Sequence, residues 1–142
     1  MGDAGSLFLG SLLASLLVRF EPNPITFPTF FFVPLFLIAV PLLDTCTVVI
    51  SRVARKVSPF KGGRDHLSHR LMKKGFTKVQ AVILLWILTF VFGLFALILS
   101  NASFDTEPVI TIVGSTVWVI LLAYSLRMPV FDQASQAKKS KR

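Results

Sequence analysis

The longest apolar run in the sequence, Thr77 to Leu99, limits what this chain can fold into more than any other feature. As a helix it would be about 35 Å long, enough to cross a hydrocarbon core of about 30 Å. Inside such a core every backbone N–H and C=O group needs a partner in its own segment, which favours a helix over an open sheet. Since only 15% of the residues are charged and 54% are hydrophobic, the chain lacks the polar surface of a soluble domain. We therefore predict an all-α, multi-pass transmembrane helical bundle.

Three further apolar runs bring the predicted number of spans to about four: Ser6 to Phe20, Phe27 to Leu43 and Val109 to Leu126. The first run would be about 22 Å long as a helix, so it needs its flanking residues to span the membrane. Pro34 and Pro41 predict kinks in the second run. Such kinks are tolerated in a membrane because neighbouring helices can satisfy the carbonyl groups that proline leaves free.

Small residues recur at every fourth position from just before the first run into its middle, at Gly2, Ser6, Gly10 and Ala14. This spacing puts them along one face of a helix, where a second helix can approach closely. The partner of this face is either another helix of the same chain or a helix from outside it.

The basic residues are concentrated in the polar segment from Asp44 to Phe76, between two predicted spans. Nine lie on this segment or at its exit, namely Arg52, Arg55, Lys56, Lys61, Arg64, Arg70, Lys73, Lys74 and Lys78. The positive-inside rule places this loop and both chain ends on the cytoplasmic side. The net charge of +8 therefore indicates membrane topology and not nucleic-acid binding. Residues 128–142 form a basic tail that we predict to be disordered.

A helix near the membrane interface is predicted from Cys46 onward, ending at Ser58 and Pro59. Its apolar face would carry Cys46, Val49, Ile50, Val53 and Val57, and its polar face Arg52, Arg55 and Lys56. Beyond it, His66 and His69 are three residues apart and can share one face of a helical turn. With Arg64 and Arg70 beside them, they can donate hydrogen bonds to a diphosphate. Taken alone, an Arg or His in a cytoplasmic loop is more often a topology determinant or a solvated residue than a ligand.

Several motifs, in order along the chain, resemble those of one enzyme family. Met1 to Ser6, MGDAGS, resembles the MGDxGS motif of the polyprenyl-phosphate N-acetylhexosamine-1-phosphate transferases, the glycosyltransferase family 4 type. Asp44-Thr45, Ser58-Pro59-Phe60 and the segment from Arg64 to Leu71 are similar to the D-T, S-P-F and R-D-H-L-H-H-R-L signatures of the branch that transfers GlcNAc 1-phosphate to undecaprenyl phosphate. One position departs from this pattern, because Ser68 stands where the branch has its second histidine.

The resemblance implies a membrane enzyme in which a polyprenyl phosphate attacks the β-phosphate of a UDP-amino sugar and UMP leaves. It implies Mg²⁺, or Mn²⁺ in its place, as the cofactor that neutralises the diphosphate. Its implied site residues are Asp3 as catalytic residue and metal ligand, His66 and His69 as catalytic residues, and Arg64, Arg70 and Asp44 as substrate-binding residues. The implied location is the inner or plasma membrane, with the active-site loop 44–76 in the cytoplasm.

Residues 1–127 resemble the C-terminal membrane portion of these enzymes, whose other members carry further spans and acidic residues upstream. We therefore expect the chain to be inactive alone and to need a missing N-terminal half or a dimer mate as its partner. A second hypothesis is a small non-enzymatic membrane protein whose loop 44–76 binds anionic lipid or a protein partner. Neither hypothesis involves nucleic acid.

Overall fold

The computed structural model describes residues 3–18, 26–58 and 65–129. Within these residues the regular structure is entirely helical, which confirms the all-α prediction. The helices are α1 (Asp3–Val18), α2 (Phe27–Leu37), α3 (Ala39–Ala54), α4 (Leu67–Lys73), α5 (Lys78–Ser100) and α6 (Glu107–Leu126).

The helices α5 and α6 are each long and apolar enough to cross a membrane, as predicted for the last two runs. A capping box starts α5 at its polar end. The Thr77 hydroxyl accepts a hydrogen bond from the Gln80 amide, and the Gln80 side chain accepts one from the Thr77 amide. These two bonds satisfy amide groups that the first turn of a helix cannot pair.

The second apolar run forms two helices instead of one, because the chain bends by 72° between α2 and α3. The bend lies at Ile38, between Pro34 and Pro41. Neither proline can donate the backbone hydrogen bond that a continuous helix requires, and the predicted break of this run takes the form of one bend between the two prolines. The described residues thus contain two candidate spans, or three if the bent pair counts as one. The helix α1, with 16 residues, is too short to be counted among them.

One hydrophobic cluster holds α2 and α3 against α5. Its buried members are Val33, Phe36, Ala39, Val40, Phe92, Ala96 and Leu99. Helix α6 packs on this cluster through Gly114, where an added Cβ atom would stand 2.5 Å from Cζ of Phe36. Only a residue without a side chain leaves room there for the phenyl ring. The two core clusters contain no residue of α1, as far as its side chains are described, and Leu7, Phe8, Leu12 and Leu13 of that helix are exposed.

A second cluster fixes the short helix α4 against the bundle. It contains Leu43, Leu67, Leu71, Ala81 and Met128. Ordered structure therefore reaches past the predicted start of the tail at residue 128, while residues 130–142 lie outside the described part of the chain. The turn that leads from α4 to α5 contains Gly75 with φ of +103°, a conformation that glycine adopts without strain.

At the opposite end of α6, Glu107 ties the start of that helix to the start of α2. Its carboxylate accepts hydrogen bonds from the hydroxyls of Thr26, at 2.7 Å, and Thr29, at 3.0 Å. The side chain is almost fully buried, and these two donors compensate for the water that it loses. The starts of the two helices are thus tied together at this end of the bundle.

Candidate active site

Asp44 of α3 joins the predicted active-site loop to the helical bundle. Its Oδ1 accepts a hydrogen bond from the backbone amide of Leu67, at 2.6 Å, and its Oδ2 lies 2.9 Å from Nδ1 of His66. His66 is the N-cap residue of α4 but makes no side-chain cap bond of its own. Asp44 therefore supplies, from another helix, the acceptor that the first turn of α4 needs.

Arg70 lies at the centre of the contacts between α4 and its neighbours, and its side chain is fully buried. Its Nε donates to the carbonyl of Asp65 at 2.9 Å, and its Nη1 donates to the carbonyl of Ser125 at 3.1 Å. Its Nη2 donates to the hydroxyl of Ser51 and lies 3.5 Å from the carbonyl of Thr47. Burial lowers the pKa of Arg70, and the carboxylate of Asp65 opposes this shift. One guanidinium group thus links α4 to α3 and α6.

Asp65 forms ion pairs with the buried Arg52 of α3 and with Arg55, the residue that follows α3. Its Oδ2 lies 2.7 Å from Nε of Arg52 and 3.4 Å from Nη2 of Arg55. Burial by itself raises the pKa of Asp65, but the hydrogen bond and charge of Arg52, helped by Arg55, outweigh that effect and lower the pKa below its ordinary value. These ion pairs fasten the chain just before α4 onto the end of α3.

Arg52, which was predicted on the polar face of this helix, is buried, since only 5% of the residue is accessible. The reason is that residue 65 returns over α3 and brings a carboxylate onto that face. On the predicted apolar face of the same helix, Val49, Ile50 and Val53 lie together and are exposed. An exposed apolar face suits a helix that lies at a membrane interface.

The six predicted site residues fall into three groups. Asp44, His66 and Arg70 meet around α4, Arg70 through its buried contacts and His66 with 57% of its side chain exposed. His69 lies on the same short helix and is half-buried. Asp3 begins α1, but its side chain lies outside what the structure describes, as does the whole of Arg64. The roles of all six in binding and catalysis stay predictions.

A complete metal site is not present among the described residues, where no three His, Cys, Asp or Glu side chains come together. Both carboxylate oxygens of Asp44 already face nitrogen atoms of residues 66 and 67. Asp3 therefore stays the predicted metal ligand.

An apolar groove of about 190 Å³ begins beside this site. Leu43 and Leu67, the chain neighbours of Asp44 and His66, line one part of it, and Phe76, Leu84, Leu88 and Val91 line another. Tyr124 stands at its edge, where its hydroxyl accepts a hydrogen bond of 2.7 Å from Nζ of Lys74. The groove therefore combines an apolar wall with a cation at its rim.

Sequence reasoning missed the polar residues that surround Arg70. Thr47 and Ser51 are four residues apart on α3, so they share one face of a helix whose other buried residues are mostly apolar. The hydroxyl of Thr47 also lies 2.6 Å from that of Ser125. The four-residue spacing of Thr47 and Ser51 was the one signal in the sequence that α3 faces a buried polar partner.

No family model and no solved structure matches the chain. Among curated proteins it is 30% identical over 103 residues to the probable undecaprenyl-phosphate N-acetylglucosaminyl 1-phosphate transferase of Bacillus subtilis, which covers 72% of the chain and 28% of the relative. It is 29% identical over 132 residues to the undecaprenyl-phosphate alpha-N-acetylglucosaminyl 1-phosphate transferase of Yersinia pestis, covering 89% of the chain and 32% of the relative. The protein of that name from Escherichia coli K12 is 35% identical over 85 residues, or 60% of the chain and 23% of the relative.

These matches confirm the resemblance that the motifs indicated. The chain spans less than a third of the length of each of these three relatives. The chain is thus similar to part of the undecaprenyl-phosphate N-acetylglucosaminyl 1-phosphate transferases, and these matches support that family for it.

Proposed function

We propose that this chain forms part of a membrane transferase that moves an amino-sugar 1-phosphate from a UDP-sugar to polyprenyl phosphate, in the synthesis of lipid intermediates for cell-wall or surface polysaccharides. The observation that carries this proposal is the placement of His66. An aspartate holds this exposed imidazole at the polar end of the bundle, beside an apolar groove. The relatives' names supply the acceptor, undecaprenyl phosphate, and the sugar-phosphate donor.

On the donor side, His66, His69 and Arg64 would face the diphosphate of the UDP-sugar. Phosphoryl transfer requires positioning and stabilisation of negative charge more than covalent help from the protein, and a basic loop supplies both. Arg70 takes a different part, because its guanidinium is already occupied by acceptors in the protein. We assign it the task of holding α4, and with it both histidines, against the membrane helices.

Bound Mg²⁺, or Mn²⁺, would neutralise part of the charge on the diphosphate. Asp3 is the residue of this chain that we propose as a ligand. Magnesium prefers six oxygen ligands, and the described residues offer no group of three acidic or histidine side chains. The remaining ligands would come from the substrate, water and residues outside the described part of the chain.

On the acceptor side, the apolar groove suits the isoprenoid part of the lipid. It begins at Leu43 and Leu67, so a chain lying in it would bring its phosphate towards the loop that carries His66. A site at this level of the membrane allows a lipid phosphate to meet a soluble nucleotide sugar.

The proposed topology follows from the same reaction. Four spans with both chain ends inside would place loop 44–76 in the cytoplasm, and the chain in the inner or plasma membrane. The high positive charge of the loop supports this orientation. In this arrangement α1 and the bent pair of α2 and α3 each count as one span.

Substitutions in a full-length relative that carries the same residues would test this function. We expect Asp3→Asn and His66→Gln each to lower turnover by about a hundredfold or more, because a metal ligand or a charged hydrogen-bond donor is lost. The matched control is Ser100→Ala, at the far end of α5 from α4, which should have little effect.

The assay is transfer of labelled amino-sugar phosphate from UDP-sugar to polyprenyl phosphate in liposomes. Equal losses from all three substitutions would contradict the proposed site. Unchanged transfer by His66→Gln would favour the second hypothesis for the loop, binding of anionic lipid or a protein partner.

A further inference from the structure

We propose that Asp44 is a positioning residue that fixes the tautomer of His66, holding the hydrogen of the neutral ring on Nδ1. This inference rests on the proposed function, in which His66 faces the substrate. The geometry on which it depends is the distance of 2.9 Å between Oδ2 of Asp44 and Nδ1 of His66. Asp44 comes from α3 and His66 from the start of α4, so the contact exists only in the folded bundle.

A carboxylate can accept hydrogen bonds but cannot donate them, so the hydrogen between these two atoms belongs to Nδ1 of His66. The neutral ring then has an unprotonated Nε2, and the charged ring differs from it only by a proton on that atom. Histidine in water favours neither arrangement strongly, whereas a bond to a charged acceptor is strong enough to select one. Nδ1 therefore keeps its hydrogen in both states of the ring, and the proton that the ring gains or loses is the one on Nε2.

The second oxygen of Asp44 makes this selection rigid. Oδ1 accepts the hydrogen bond from the amide of Leu67, the residue that follows His66. The carboxylate therefore cannot rotate freely, because both oxygens are fixed by consecutive residues of one backbone. The imidazole is oriented by its own bond and by the position of its main chain, and 57% of the side chain stays exposed. Its outward nitrogen can accept a hydrogen bond when the ring is neutral and donate one to a phosphate oxygen when the ring is charged.

His69 lacks this arrangement. It lies on the same helix, but no hydrogen bond joins its ring to another described residue. We therefore assign the two histidines different tasks, with a fixed tautomer at His66 and a free ring at His69. The chain contains only these two histidines, so each can be observed separately.

The test is two-bond ¹H–¹⁵N correlation spectroscopy of this chain in detergent micelles, with ¹⁵N in the histidine rings and at a pH where the rings are neutral. We expect the Nδ1–H form of His66 to exceed the Nε2–H form by about tenfold or more. His69 should show the mixture of free histidine and serves as the internal reference. An Nε2–H form or a free mixture at His66 would overturn the proposal without any substitution.

Asp44→Asn provides the matched variant. Its side-chain oxygen can still accept from the amide of Leu67, which keeps α4 capped, while its NH₂ group now faces Nδ1 as a donor. The tautomer of His66 should therefore invert to Nε2–H. Thr45→Ala, an exposed change at the next position of α3, should leave it as it was. An unchanged tautomer in Asp44→Asn would refute the assignment.

A second measurement connects the tautomer to the reaction. In a full-length relative with the same residues, Asp44→Asn should lower kcat by about a hundredfold with a much smaller change in KM for the UDP-sugar. Inversion of the tautomer with an unchanged kcat would overturn the positioning role. The tautomer measurement does not depend on transferase activity. If His66→Gln leaves transfer unchanged in the full-length relative, the proposed function is contradicted, but the tautomer found for His66 in this chain is not.

Discussion

Replacement of Arg70 by methionine should destabilise the fold more than the loss of any other basic side chain of α4. Methionine has a similar length but no hydrogen-bond donor. The substitution removes a donor from three buried acceptors, the carbonyls of Asp65 and Ser125 and the hydroxyl of Ser51. Of these, the carbonyl of Ser125 still accepts a hydrogen bond from the amide of Met128. The charge of Asp65 stays compensated, since its carboxylate keeps its ion pairs with Arg52 and Arg55.

The size of the effect follows from these acceptors. A buried acceptor that loses its donor costs about 1–3 kcal/mol, and the three costs are not fully additive. Part of this loss of stability is offset, because the folded chain no longer bears the desolvation cost of the buried guanidinium of Arg70. We therefore expect the free energy of unfolding to fall by about 3 kcal/mol.

The assay is unfolding by sodium dodecyl sulfate in mixed micelles, followed by circular dichroism. Lys74→Met is the matched control, one turn further along from Arg70. Its side chain is exposed and makes one hydrogen bond and a ring contact with Tyr124, so we expect a loss below about 1 kcal/mol. Equal destabilisation by the two substitutions would refute the view that Arg70 holds α4 in place.

Three further predictions concern other parts of the chain. Gly114→Ala should cost about 1–3 kcal/mol in the same unfolding assay, because its new methyl group would overlap the ring of Phe36, whereas Gly93→Ala, with open space at that point, should not destabilise the fold. The stability contributed by Asp65, whose pKa is lowered in the folded chain, should be present above the ordinary value of 3.8 and disappear as the pH falls below it. Unfolding measured at several acidic pH values should show this loss, and the loss should be smaller in Asp65→Asn than in the unchanged chain. A single cysteine introduced at position 63 of a chain without other cysteines should react with a membrane-impermeant reagent only from the cytoplasmic side, and labelling only from outside would contradict the proposed topology.

The sequence by itself determined which helices are long and apolar enough to cross a membrane, and the place where the chain breaks. In hydrocarbon a backbone must satisfy its own hydrogen bonds, so the apolar runs that became α5 and α6 could hardly be anything but helices. Pro34 and Pro41 act on the backbone next to them, so the bend between α2 and α3 could also be predicted locally. The family was readable because its motifs are short, ordered runs of specific residue types.

Only the tertiary structure decided which polar residues of the loop are structural. Arg70 and His66 are both polar residues in a basic segment, yet one is fully buried and the other is exposed. A periodic pattern assigns residues to opposite faces of a helix but does not say what covers each face. Asp44 meets His66 across 22 residues, and Asp65 reaches Arg52 across 13, because the chain folds back over α3. Contacts between residues so far apart depend on where each helix packs, and that is set by the whole bundle and not by any one stretch of sequence.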